Sequence, residues 1–343
     1  MAVTSIGPYR LGRLLGKGGF ASVQLGTHDT TGDKVAVKVM QRNGINTDEQ
    51  IKMEIALCKR LTHENIVRYV AHYVTAKTVY LAMECVDGGE LYDQLEAAGR
   101  FDESRAREIF AQIVDGVSYC HSRGVCHRDL KLENVLWSTD GTVRLTDFGF
   151  SKDFSQQSPK STVGTALYVA PEVVLHEGQQ YDGELADIWS LGIILYLLAA
   201  GRFPFNRGHV GGVAPGMSSR SKEKFGNDNF RAPSHFSMEL TALLRKILCA
   251  NPKHRASIAD IRSHPWFTGR TGANEPPVTP PGTPHHAANK EDHGAAEELD
   301  WTEIAPNGGI AAPQIVPLSF DSDGEDELWD EDEAMGGFES LAL

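Results

Sequence analysis

His127-Arg128-Asp129-Leu130-Lys131-Leu132-Glu133-Asn134, followed thirteen residues past Asn134 by Asp147-Phe148-Gly149, is the stretch from which the rest of this chain is read. It supplies a carboxylate (Asp129) able to take a proton from a hydroxyl and a cation two residues on (Lys131). Asn134 and Asp147 add oxygen-bearing side chains of the kind magnesium prefers. Phosphoryl transfer asks for such a set, because it needs two oxygens held in line and developing charge neutralised, with little covalent help. An Asx-capped turn explains any one of these residues. It explains poorly the eight-residue run and Asp-Phe-Gly at this spacing together.

The whole chain sets bounds on what surrounds that stretch. Its 343 residues can hold one large or two modest domains, and 41% hydrophobic with 23% charged residues allows a sizeable core. The net charge of −13 is unevenly placed. From Thr271 onward one Lys stands against seventeen Asp and Glu, so the part before it is close to neutral. Such an anionic segment repels phosphates and argues against nucleic acid as a partner. Cys58, Cys85, Cys120, Cys126 and Cys249 are scattered without a C-x-x-C pair, which reads as reduced thiols of a cytoplasmic or nuclear protein. Met1 to Ile6 lacks a secretory pattern, Ala2 stands where myristoylation needs Gly, and the apolar run Leu191 to Ala200 is too short to span a bilayer. No membrane partner is expected.

Several further stretches carry chemistry or period. Tyr9 to Val39 alternates apolar and polar residues, as antiparallel strands do. Within it Leu15-Gly16-Lys17-Gly18-Gly19-Phe20-Ala21-Ser22-Val23 is a glycine-rich turn whose backbone N–H groups can approach a phosphate. Val35-Ala36-Val37-Lys38 is a strand ending in a single Lys, with Ala36 and Lys38 on one side. A helix follows, opened by Thr47-x-x-Gln50, apolar at Ile51, Ile55 and Cys58, and carrying Glu54. From Asp102 the period turns helical, with Ala106, Ile109, Phe110, Ile113, Val114 and Val117 on one face and Gly124 at the close. Asp147 to Glu172 is a long unpatterned segment inside a compact region, and such segments are usually functional.

On these residues the chain resembles the eukaryotic protein kinase family, over residues 9–267. The resemblance implies an α+β bilobal protein kinase fold: a small antiparallel-sheet lobe with one helix, a larger helical lobe, and ATP with Mg2+ in the cleft. It implies Asp129 as catalytic base with Lys131 beside it, and Asn134 and Asp147 as metal ligands. ATP binding would fall to Leu15 through Val23, Ala36, Lys38 paired with Glu54, Met83 at the back of the pocket, Glu84 and Cys85 in the hinge, and Glu90 near the ribose. Glu172 would pair with Arg255 as a brace. The form Asp-Leu-Lys after His-Arg points to a serine/threonine kinase, and the chain is most similar to plant and algal sucrose-nonfermenting-related kinases of subclass 2, which act in stress signalling. Ala166-Leu167 departs from that pattern at the substrate-facing loop.

The resemblance also frames regulation. Phosphate on Ser161, with Thr162 as a second candidate, would meet Arg128 and Lys152, after action by an upstream kinase. Thr165, Glu90 and Glu133 would meet a protein substrate, the two carboxylates favouring a basic residue before the phosphoacceptor. Residues 268–343 read as a Pro-rich linker and an acidic, disordered tail, because nine of the thirteen residues from Asp321 to Glu333 are acidic. With Leu328 and Trp329 embedded, that tail could dock a phosphatase or another regulator, or serve only solubility. The rival class is a pseudokinase scaffold, which usually lacks one of the residues present here as Lys38, Asp129 and Asp147.

Overall fold

The alternating residues of the N-terminal part pair into a six-stranded antiparallel sheet in the order β1-β2-β3-β4-β6-β5. The computed structural model describes residues 5–18, 21–42, 48–148, 167–175, 181–205 and 230–269. Its strands are β1 (Ser5–Ile6), β2 (Tyr9–Lys17), β3 (Ala21–His28), β4 (Lys34–Gln41), β5 (Tyr69–Val74) and β6 (Thr78–Glu84), and α1 (Asp48–Arg60) is the helix of this lobe. Side chains alternate faces along a strand, and β4 divides accordingly. Val35 and Val37 join Tyr9, Tyr80 and Ala82 in a small core on one face. Ala36, Lys38 and Met40 therefore take the other face, where Met40 meets Ile51 and Ile55 of α1 within the main core. This alternation is what aims Lys38 at α1 and the cleft.

The larger lobe is built from α2 (Leu91–Ala98), α3 (Glu103–Ser122), α4 (Pro171–Leu175), α5 (Gly183–Ala200), α6 (Met238–Ile247), α7 (Ile258–Ser263) and α8 (Pro265–Thr268). The apolar face read along α3 is fully inside: Ile109, Phe110, Ile113 and Val114 are each 0% exposed. α5 runs to 18 residues, longer than the apolar run read from sequence, and is long and apolar enough to cross a membrane by composition alone. Its burial answers that reading, since 83% of the helix lies inside the protein. Asp182 caps its start by accepting from Glu184 and Leu185 N–H. At Gly192 a Cβ would fall 2.7 Å from Ile247 and from Leu248, so only glycine lets α5 lie this close to α6.

Between the lobes a short hairpin, β7 (Val135–Trp137) and β8 (Val143–Leu145), closes the segment that began at His127. Leu145 N–H donates to Asn65 O and Val67 N–H to Leu145 O, at 2.9 Å each, so the approach to β5 and the hairpin are joined. Gly19, Phe20, Thr47, Lys152, Ser161, Thr162, Thr165, the stretch 206–229 and everything after Gly269 lie outside the described residues.

Candidate active site

Lys38, read from sequence as the end of a strand, reaches two carboxylates at once. Its Nζ lies 2.6 Å from Glu54 Oε1 on α1 and 2.8 Å from Asp147 Oδ1. Burial alone would depress the ammonium; the charges of Glu54 and Asp147 override it and hold its pKa well above the ordinary range. Lys38 therefore stays cationic at any physiological pH, at the point where three separate elements meet.

The catalytic-loop residues cluster in the same way. Lys131 Nζ lies 2.7 Å from Asp129 Oδ2. Asn134 Nδ2 donates to the same oxygen at 3.0 Å and to Asp129 O at 2.8 Å. Thr146 N–H donates to Asn134 O at 3.0 Å, which ties the residue before Asp147 to this cluster. The rings of His127 and Phe148 meet at a tilt with centres 5.0 Å apart, and His127 Nε2 lies 3.0 Å from Thr146 O. Asp129, Lys131, Asn134 and Asp147 are thus brought to one end of the cleft, with Lys38 beside Asp147.

This loop carries backbone strain. Arg128 and Asp147 both have φ of 64°, a region that costs non-glycine residues on the order of 1–3 kcal/mol each unless surrounding structure enforces it. At Arg128 the enforcing group is Asp187, at the start of α5. Its Oδ1 accepts from Arg128 N–H at 2.7 Å and its Oδ2 from His127 N–H at 2.8 Å. Asp187 is 1% exposed, so these charged hydrogen bonds work in a dry environment. In the sequence Asp187 stands only at the opening of an apolar stretch. The available signal was a carboxylate in a run of Ile, Trp and Leu, which is stable only if paired.

Tyr168 was missed for a similar reason. It is buried at the foot of the loop, its hydroxyl lies 3.4 Å from Glu133 Oε2, and its carbonyl accepts from Ser190 Oγ at 2.9 Å. Burial, then the neighbouring Glu133 charge, raises its pKa well above the ordinary phenol range.

The described residues expected to meet a nucleotide lie on β2, β3, β4 and β6 and on the connection that follows β6. Gly16 pairs with Val23 and Lys17 with Ser22 across the β2–β3 hairpin, and Gly18 N–H donates to Ala21 O at 2.9 Å. A Cβ at Gly16 would meet nothing within 4 Å, so the space beside that backbone is open to a ligand. Leu15 is 38% exposed at the same hairpin. Ala36 pairs with Met83, and Met83 is buried at the back of the sheet. Glu84 receives Arg68 N–H at 2.8 Å and pairs with Arg144 Nε at 3.2 Å, while Cys85, partly exposed, follows it. The connection beyond Cys85 docks on β7: Gly88 N–H donates to Trp137 O at 2.9 Å, where a Cβ on Gly88 would sit 2.5 Å from that oxygen. Exposed Asp87 accepts from Thr139 N–H at 2.9 Å and from the Thr139 hydroxyl at 2.6 Å, and these bonds hold its pKa down at about 2.

Glu90 sits before α2 and bridges to Leu136. Partial burial, then the charges of Asp93 and Glu133, raise its pKa. The set as a whole fits magnesium and a nucleotide: the Asp147 carboxylate and the Asn134 amide offer hard oxygens, Lys38 offers a fixed cation, and the hairpin offers open backbone.

The sequence pattern of the protein kinase domain family matches residues 9–267. The chain is similar to CBL-interacting serine/threonine-protein kinase 8 of Arabidopsis thaliana, 42% identical over 272 residues that cover 78% of this chain and 59% of the relative. It is similar to CBL-interacting protein kinase 30 of Oryza sativa subsp. japonica, 41% identical over 273 residues covering 78% of this chain and 55% of the relative. It is also similar to serine/threonine-protein kinase SAPK9 of Oryza sativa subsp. japonica, 40% identical over 264 residues covering 76% of this chain and 71% of the relative. The chain spans 59% and 55% of the length of the two CBL-interacting relatives and more of the third.

Proposed function

The chain belongs to the protein kinase domain family, and from that premise we propose that it transfers the γ-phosphoryl group of ATP to serine or threonine hydroxyls of other proteins. One observation carries the reading: Lys38 touches both Glu54 and Asp147 while Asp129, Lys131 and Asn134 form a single hydrogen-bonded cluster. A scaffold that kept the fold without the chemistry would have no need of all six groups in register.

In this reading Asp129 orients the attacking hydroxyl and takes its proton as the new P–O bond forms and the bond to the leaving diphosphate breaks. Lys131, held on Asp129, stabilises charge on the group in transit. Lys38 holds the remaining phosphates, and Glu54 fixes its direction. Asn134 and Asp147 would hold magnesium, which neutralises phosphate charge when bound. Leu15 to Val23, Ala36, Met83, Glu84, Cys85 and Glu90 would surround the nucleotide.

Finer readings follow from the same premise. Glu90 and Glu133 would select a basic residue before the phosphoacceptor, with Thr165 beside the catalytic loop. Ser161 or Thr162, phosphorylated by an upstream kinase, would pair with Arg128 and Lys152. The acidic segment from Asp321 to Glu333 would dock a phosphatase or another regulator of stress signalling in the cytoplasm or nucleus, as in subclass 2. The test is phosphorylation of a randomised peptide library with labelled ATP by the full chain and by Asp129→Asn. Labelling of Ser and Thr peptides by the parent alone supports the reading, and equal labelling by both overturns it.

A further inference from the structure

We propose that His121, Cys126 and Asp187 form an inhibitory zinc site beneath the catalytic loop. The ligand atoms of these three side chains all lie within 4.8 Å of one another. They offer one nitrogen, one sulfur and one carboxylate oxygen, the donor types zinc takes. A tetrahedral zinc with bonds of about 2.0–2.3 Å sets its ligands roughly 3.3–3.8 Å apart, so modest side-chain adjustment closes the set and leaves a fourth position for water. His121 comes from the last turn of α3, Cys126 from the approach to the loop and Asp187 from α5, so the site joins three elements.

Two further features point to a cation here. An open groove of about 430 Å3 runs past His121 and is lined also by Ser118, Asp182, Glu184 and Ser257, which gives the buried cluster an approach from solvent. Asp182 and Glu184 both act electrostatically on His121 and on Cys126, and they attract a dication towards the pair. Arg128 acts on Cys126 in the opposite sense and limits affinity. Burial and then the Asp187 charge push the Cys126 thiol up to about 12, so without metal it stays protonated. Zinc would displace that proton and the Nε2 proton that His121 directs at Asp187, 2.9 Å away, and both would leave to solvent.

The consequence lies in Asp187. Its Oδ2 is the acceptor for His127 N–H at 2.8 Å, and it cannot bond a metal without yielding part of that hydrogen bond. Zinc would therefore loosen the strained segment that places Asp129, lowering turnover from a site outside the nucleotide cleft. The inhibitory consequence rests on the kinase reading; the metal site does not.

The experiment separates the two. Full-length protein with its magnesium in place is titrated with Co2+ as a spectroscopic stand-in and with Zn2+ as inhibitor, beside Cys126→Ser and His121→Gln. The parent should show a cobalt–thiolate charge-transfer band that Zn2+ bleaches and that Cys126→Ser lacks. Each variant should weaken zinc inhibition at least about tenfold, the lower end of what loss of a supporting group costs a metal site, while keeping metal-free turnover. Cys249→Ser, a free thiol outside this cluster and outside the nucleotide residues, should change neither the band nor the inhibition. Absence of the band in the parent, or a band equal in the parent and Cys126→Ser, overturns the site. The band with zinc inhibition equal in parent and variants overturns the inhibitory role and places the metal's effect in the nucleotide cleft. If Cys126→Ser does not fold, His121→Gln carries the comparison.

Discussion

Arg255 and Glu172, 83 positions apart, meet in a buried two-point ion pair: Nη1 reaches Oε1 at 2.7 Å and Nη2 reaches Oε2 at 2.8 Å. The Arg255 side chain is fully enclosed, donating also to Cys249 O and Leu185 O and lying 5.2 Å over the Trp189 ring. Removing one partner leaves an uncompensated charge in a dry interior. Arg255→Met should cost about 3–5 kcal/mol of unfolding free energy, read by urea denaturation. Because Glu172 is then stranded, adding Glu172→Leu should recover part of the loss. A single variant as stable as the parent would mean the pair is not buried in solution.

The double contact of Lys38 predicts an order of effects. Lys38→Met removes the cation outright and should lower turnover at least about 10²-fold, as Asp129→Asn should. Glu54→Gln leaves Lys38 on Asp147, still 2.8 Å away, so it should cost less than either. ATP binding, followed by a fluorescent nucleotide, should fall in Lys38→Met and persist in Asp129→Asn. Steady-state kinetics on one peptide substrate decides the order, and Glu54→Gln falling as far as Lys38→Met would show that Asp147 does not hold the cation alone.

Much of this was legible in the chain because the groups that do chemistry recur at fixed spacings. His127 to Asn134, Asp147 and Lys38 announce themselves as residue types, and period places Lys38 on the inward face of β4 and the core face on α3. The opening of α5 is harder to read: the helix starts at Gly183, and its first turns carry Asp187 and Ser190, whose polar atoms find long-range partners. Those partners are what sequence conceals. Asp187 binds backbone 59 and 60 positions away, and backbone donors leave no side-chain trace.

Asp187 provides the sharpest test of that concealed part. Asp187→Asn keeps the shape but replaces a charged double acceptor with an amide that accepts through one oxygen only. Loss of a hydrogen bond to a charged group costs about 1.5–3 kcal/mol, and a catalytic group displaced by about 1 Å can lose about 10²-fold in rate. Turnover should therefore fall by about that factor with the ATP KM nearly unchanged, since the nucleotide groups lie on other elements. A variant that loses ATP affinity and keeps turnover would contradict a positioning role.

Arg128 carries a second prediction on the same loop. Its Nε is buried without a hydrogen-bond partner among the described residues, and its guanidinium lies 5.8 Å from the centre of the Tyr181 ring. A partly buried cation so placed suits an anion brought to it, and phosphoserine carries about −1.5 to −2 charges. Ser161→Ala taken from stressed cells should be less active than the parent by about 5–150-fold, the usual span of a coupling between two sites. Arg128→Gln should remove the difference between phosphorylated and unphosphorylated protein. Full activity of Ser161→Ala would rule Ser161 out as the switch.

His121 gives the fold a pH dependence whose sign is fixed by its surroundings. Burial pulls its pKa down, but the hydrogen bond to Asp187 and the charges of Asp187, Glu184 and Asp182 outweigh burial and raise it above the ordinary value of 6.5. A histidine whose pKa is raised by folding contributes stability that is complete below its unfolded value, about 6.5, and is lost as pH rises through the folded value. The parent's stability advantage over His121→Gln, measured by urea denaturation with a metal chelator present, should thus be largest below neutrality and shrink on the alkaline side. Glutamine can still donate to Asp187 but does not titrate, so the comparison isolates the imidazolium. An advantage that grew with pH would mean that the ring is neutral against Asp187.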